Sequence, residues 1–102
     1  MKRITNYYDF VDFAERRLNS TVAFRWCNAC ISVNFAGKIF FTSYKTEMLA
    51  YNRKIGVLQK LSDIETPTTL QHLRKFFDMI SSRKDYHDFR KIRKGDFLII
   101  YE

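Results

Sequence analysis

The residues that staple, kink or loosen a chain are scarce in this sequence: two cysteines, one proline and three glycines in 102 positions. Two cysteines are too few for the disulfide framework of a small secreted fold. So little glycine and proline, beside 17% aromatic residues, excludes a disordered or low-complexity chain. No stretch approaches the roughly 18 consecutive apolar residues of a membrane span. The opening Met1-Lys2-Arg3-Ile4-Thr5-Asn6 has cations but no apolar core of a signal peptide, so a cytosolic location without membrane contact is expected. Acidic residues are also in short supply, 11 against 18 Lys and Arg, which leaves a net charge of +7.

The aromatic residues supply the core. Ten Phe, six Tyr and one Trp suit one well-packed domain spanning residues 1–102, because most domains run roughly 100–200 residues. Tyr7, Phe10, Val11, Ala14 and Leu18 recur at helical spacing, with Asn6 as the N-cap and Asp9 in the first turn. Strands are expected over Thr21–Trp26, Cys30–Phe35, Lys38–Tyr44, Glu47–Tyr51 and Ile55–Leu61, where β-branched and aromatic residues gather between short turns. Thr66 and Pro67 open a second helix with Leu70, Leu73, Phe77 and Ile80 inward. Tyr86, Phe89 and Ile92 suggest a third, short helix ending at Gly95, and Phe97–Tyr101 reads as a closing strand. The order predicts an α+β domain: an antiparallel meander of four to five strands, with an N-terminal helix and one or two C-terminal helices on one face.

Fourteen of the 18 cations stand as adjacent pairs, and the densest stretch, residues 83–94, carries a local net charge of +4. Lysine and arginine release counterions on meeting phosphates, so nucleic acid or a nucleoprotein is the expected partner. Arg83, Lys84, Arg90, Lys91, Arg93 and Lys94 are the principal candidates, with Arg53, Lys54, Arg74 and Lys75 beside them. Aromatic rings next to cations add Trp26, Phe40 and Tyr44 as candidate stacking residues, provided they lie on an open sheet face. The alternatives are an acidic protein surface as partner and a protein-interaction module whose charge is incidental, and an exposed sheet edge leaves a homodimer open.

Catalytic and metal constellations fare worse. Cys27-Asn28-Ala29-Cys30 has the spacing of a redox or zinc pair, but it runs into a strand rather than a helix, and finger-type histidines are missing. Both cysteines are expected as small buried side chains of a sheet. His72 and His87, with Arg90, Arg93 and Tyr101, form the set a small basic ribonuclease would require, by residue type alone. Asp63-Ile64-Glu65 lacks the lysine of a metal-dependent nuclease, and the isolated glycines build no phosphate-cradling loop. No cofactor and no metal is expected.

Residues 40–77 carry two short motifs, Ser43-Tyr44-Lys45-Thr46 and Thr68-Thr69-Leu70-Gln71-His72. They resemble small uncharacterised proteins of bacteriophages and related mobile elements, with a Ser-Tyr-x-Thr strand pair and a Thr-Thr-x-x-His helix start. The resemblance implies no catalytic residues. It implies an accessory phage protein in the host cytoplasm, a class that includes inhibitors of host defence such as anti-CRISPR proteins; with a host defence complex as target, the expected mechanism is occlusion of its nucleic-acid channel.

Overall fold

The computed structural model describes residues 3–100, which run β1 (Arg3–Ile4), α1 (Tyr7–Arg16), β2 (Ser20–Phe24), β3 (Ala29–Val33), β4 (Ile39–Ser43), β5 (Thr46–Asn52), β6 (Val57–Lys60), α2 (Pro67–Ile80), α3 (Arg83–Lys91) and β7 (Phe97–Ile99). Expectation and structure agree on the α+β class, on the antiparallel meander and on helices packed against one side of it. The sheet is wider than the meander, however, because its seven strands lie in chain order and a strand is added at each end. At one edge, Arg3 and Ile4 pair parallel to Ala23 and Phe24, so α1 is a crossover between parallel strands. At the other, β7 returns antiparallel to β6 after the two C-terminal helices.

Local signals explain most boundaries. Asn6 caps α1 through Oδ1, which accepts the Asp9 N–H at 2.8 Å. Thr66 caps α2 in the same manner and Pro67 sits at its first turn, where no N–H is needed. Ser82 caps α3, whose first turn carries Asp85 and whose last carries Arg90 and Lys91, the order the helix dipole favours. Gly56 is required where it stands: its φ is +68°, and a Cβ there would meet the Ile100 carbonyl oxygen at 2.5 Å.

Alternation along β3 and β4 sends Ala29, Ile31, Val33, Ile39, Phe41 and Ser43 to the helix side. There, Phe76 of α2 stands at the centre of a ring cluster. It stacks on Phe41 at 4.5 Å and meets Phe10 and Phe24 edge-on at 6.0 Å each. Such pairs contribute about 0.5–1.5 kcal/mol each beyond burial. The inward face of α1 is Phe10, Phe13 and Ala14; Tyr7 and Leu18 are exposed, because the helix stops at Arg16 and Leu18 falls past its end.

Lys60 is buried at 3% exposure. Its ammonium donates to the carbonyl oxygens of Phe89 (3.3 Å), Arg90 (3.4 Å) and Ile92 (3.0 Å), and stands 5.1 Å from the Phe89 ring centre. The charge thus sits on the negative end of α3 and pins that helix to the sheet. The opposite sheet face, with Ala23, Cys30, Ser32, Phe40, Thr42, Val57 and Gln59 half-buried, is covered by no helix among the described residues. No described helix is long and apolar enough to cross a membrane.

Candidate nucleic-acid interface

The ten cationic candidates do not share one surface, and carboxylates claim several of them. Arg83 makes two hydrogen bonds to Asp78 (2.8 and 3.1 Å), Lys84 one to Asp88 (2.8 Å), and Arg90 reaches Glu65 (3.1 Å). These partners hold the Asp78, Asp88 and Glu65 carboxyls below their ordinary values, chiefly through the hydrogen bonds themselves. Lys91, Arg93 and Lys94 are exposed and make no ion pair among the described residues. Arg53 is held by Glu15 at 3.0 Å at the far end of the sheet, with Lys54 exposed beside it. Three of the six cations in the densest stretch are therefore neutralised by carboxylates, two of which, Asp78 and Glu65, come from outside it.

A second cationic region assembles around two neighbouring turns. The β2–β3 turn, residues 25–28, carries Arg25 and Trp26; the β4–β5 turn is Tyr44 and Lys45. They are joined by a hydrogen bond from the Tyr44 N–H to the Asn28 carbonyl at 2.6 Å. Trp26 is 81% exposed and Tyr44 54%, the first with the Arg3 guanidinium 4.4 Å above its ring. Arg3 is itself fixed by donating Nη1 to the Arg25 carbonyl at 2.8 Å. Lys75 of α2 and Arg25 are near enough to act on the Cys27 thiol, and Arg74 and Arg25 on Asp78. Asp78 is already bonded to Arg83. Arg3, Arg25, Lys45, Arg74 and Lys75 make no ion pair among the described residues.

Both turns hold a residue in the left-handed region, Arg25 at φ +51° and Tyr44 at φ +55°. Tyr44 is the first of two hairpin-turn residues and the only one with positive φ, a position that glycine normally takes. Each such placement costs about 1–2 kcal/mol for a residue with a Cβ. Between the turns and the edge of the open face lies a hollow of about 810 Å³, bordered by Arg3, Ala23, Cys30, Tyr44, Lys45 and Thr46.

What holds Tyr44 up is a buried polar cluster. The Ser43 hydroxyl lies 2.8 Å from His72 Nδ1 and 3.3 Å from the Thr69 hydroxyl, all three at most 4% exposed. The Tyr44 ring packs on the His72 ring with centroids 5.6 Å apart. Burial, reinforced by Lys75, keeps the imidazole below its ordinary pKa and hence neutral. The motifs Ser43-Tyr44 and Thr69-x-x-His72, 26 residues apart at their nearest contact, thus meet in space.

Trp26, Phe40 and Tyr44, the stacking candidates, do not form one flat platform. Trp26 and Tyr44 stand in turns rather than strands, and Phe40 lies half-buried on the open face between Ser32 and Ala50. Cys30 lies in β3 as expected but is half-buried, whereas Cys27, also free and half-buried, lies in the turn and donates its thiol to the Phe24 carbonyl at 3.3 Å. Burial raises both thiol pKa values, which suppresses thiolate at neutral pH. Among the described residues no three His, Cys, Asp or Glu side chains converge on a metal site. His72 is closed off against Ser43, whereas His87 is exposed in a shallow site with Glu65, Arg90 and Lys91, so the ribonuclease pair is not assembled at one surface. Arg93 is exposed, and Tyr101 lies outside the described residues. The sequence pointed to Trp26, Tyr44, Arg74 and Lys75, and to Arg25 and Lys45 as cations beside the rings; it missed Arg3, which reaches Trp26 and Arg25 only through the pairing of β1 with β2.

Comparison with protein families, with curated proteins and with solved structures found no match to this chain.

Proposed function

We propose that this protein is a non-enzymatic binder of single-stranded nucleic acid, and that the paired turns are its binding surface. The observation that carries the reading is the coincidence, at one end of the sheet, of two exposed rings with a group of unneutralised cations. Trp26 and Tyr44 offer π-faces to unstacked bases, while Arg3, Arg25, Lys45 and Lys75 lie where phosphates of the same strand would pass. Base–ring stacking contributes about 1–3 kcal/mol per base and needs no particular sequence. Strain held at Arg25 and Tyr44 fits a surface shaped for contact rather than for stability. In the setting that the phage resemblance implies, the strand would be the nucleic acid of a host defence complex, and occupation of its channel the mode of inhibition.

The chain's single tryptophan reports on this surface directly. Titration with a short oligonucleotide should quench Trp26 fluorescence, and the logarithm of affinity should fall with the logarithm of salt at a slope of about −3, as for about four phosphates. Trp26→Ala should weaken binding by about five- to a hundredfold, measured by anisotropy of a labelled strand. Lys91→Gln with Lys94→Gln should change it far less. A salt-independent affinity, or full binding by Trp26→Ala, would defeat the proposal.

A further inference from the structure

A second cleft lies at the other end of the sheet, between the C-terminus of α1, the β3–β4 hairpin and the β5–β6 turn. It encloses about 660 Å³, inside the range of roughly 300–1,000 Å³ typical of small-molecule sites. From its chemistry we propose that this cleft binds a nucleoside monophosphate, a site separate from the paired turns.

Three features of the walls select that ligand class. The first is charge of the right sign and amount. Lys38 and Lys54 are exposed with no ion pair among the described residues, and Arg53 is half-buried. The one carboxylate in the lining, Glu15, is engaged by Arg53 at 3.0 Å, so the cleft is left with a surplus of two positive charges for a phosphate. The second is an apolar wall: Phe35, 77% exposed, and Leu18, 50% exposed, line the cleft beyond the end of α1. The exposed Phe35 ring offers a flat face to a flat ring. The third is Asn52 of the lining, whose carboxamide is both donor and acceptor and suits a base edge.

The hairpin wall is tied by its own hydrogen bonds before any ligand arrives. Asn34 ties the hairpin from within: its Oδ1 accepts the N–H groups of Ala36 (3.0 Å) and Lys38 (2.9 Å), and its carbonyl accepts that of Gly37 (3.0 Å). Phe35 and Lys38 are thus presented on a fixed loop, and less ordering entropy is lost on binding. The phosphate alone would engage only the lysines, and the nucleoside alone only Phe35, Leu18 and Asn52. The combined ligand is the one that uses the whole cleft.

Calorimetric titration of the intact chain with adenosine monophosphate, adenosine and inorganic phosphate, each taken to millimolar concentration, tests this. Adenosine monophosphate should bind saturably and more tightly than either fragment. The double variant Lys38→Ala, Lys54→Ala should weaken it by about tenfold or more, the size expected for lost charge-assisted contacts. Phe35→Ala should weaken adenosine and adenosine monophosphate but not phosphate, with circular dichroism showing each variant folded. Trp26→Ala should bind the nucleotide normally, which separates this site from the paired turns whatever the fate of the oligonucleotide reading. Absence of saturable binding, phosphate binding as tight as the nucleotide's, or loss of binding in Trp26→Ala would each overturn the proposal.

Discussion

Helix α3 and the paired turns are both cationic and both tethered by one buried polar side chain, yet they present their charge differently. On α3, helical spacing and a neighbouring loop bring carboxylates to the cations: Lys84 finds Asp88 one turn on, Arg83 finds Asp78, and Arg90 finds Glu65. Exposed pairs of this kind are individually weak, about 0–1 kcal/mol, but each subtracts a charge from the field a polyanion meets. At the turns Arg3, Arg25 and Lys45 make no ion pair among the described residues, Asp78 acting on Arg25 only through space, and aromatic rings take the adjacent positions. Cation density along a chain is therefore a poor guide to cation availability on a surface. What matters is which carboxylates the fold brings within reach.

The tethers offer the sharpest ways to break the comparison. Lys60 holds the end of α3, and Lys60→Met removes the donor from three carbonyls at once. A loss of about 2–4 kcal/mol in urea unfolding is expected, since buried carbonyls lose their charged partner. Oligonucleotide binding by the folded fraction should be unchanged; a parallel loss of binding would move the interface to α3.

His72 holds the turns through Ser43 and Tyr44, and its effect is a matter of pH. Its pKa is lowered in the folded protein from an ordinary value of 6.5, so above that value both folded and unfolded states carry it neutral. As pH falls below it, the unfolded chain takes up a proton that the folded chain resists, and stability declines until the lower folded pKa is reached. Thermal unfolding should show a Tm flat between about pH 7 and pH 8, below the onset of thiol ionisation, and falling below about pH 6.5. His72→Gln should remove this part of the slope. A Tm indifferent to pH in the wild-type chain between neutrality and pH 5 would contradict a buried neutral imidazole.

The smallest effect comes from unmasking α3. Glu65→Gln and Asp88→Asn free Arg90 and Lys84 without touching the turns. Stability should change by less than about 1 kcal/mol. Oligonucleotide affinity should rise only by the small, long-range gain that two added charges supply, and a marked tightening would show that α3 contacts the strand.

The fold was largely legible because its determinants are local. Asn6, Thr66 and Pro67 mark helix starts by their own backbone chemistry, and alternation in residues 29–43 separates the two sheet faces. The two-residue strand β1 escaped notice, since a pair of residues has no periodicity and is a strand only by lying beside Ala23 and Phe24. Phe76, the centre of the core, was hidden for a related reason: its helix offers several apolar positions, and contact with Phe10, Phe24 and Phe41 decides which one is central.

By itself the sequence determined a basic α+β domain, its helix caps, its strand alternation and the residue types available for binding. Beyond local pairs such as Lys84–Asp88, the tertiary structure decided which cations remain free. Arg90 meets Glu65 across 25 residues and Arg53 meets Glu15 across 38, while Trp26, Tyr44 and Arg3 gather by strand pairing. The physical reason is range. Capping and periodicity act over a few residues of chain, whereas an ion pair or a stacking surface depends on distance in space, which only the folded backbone sets.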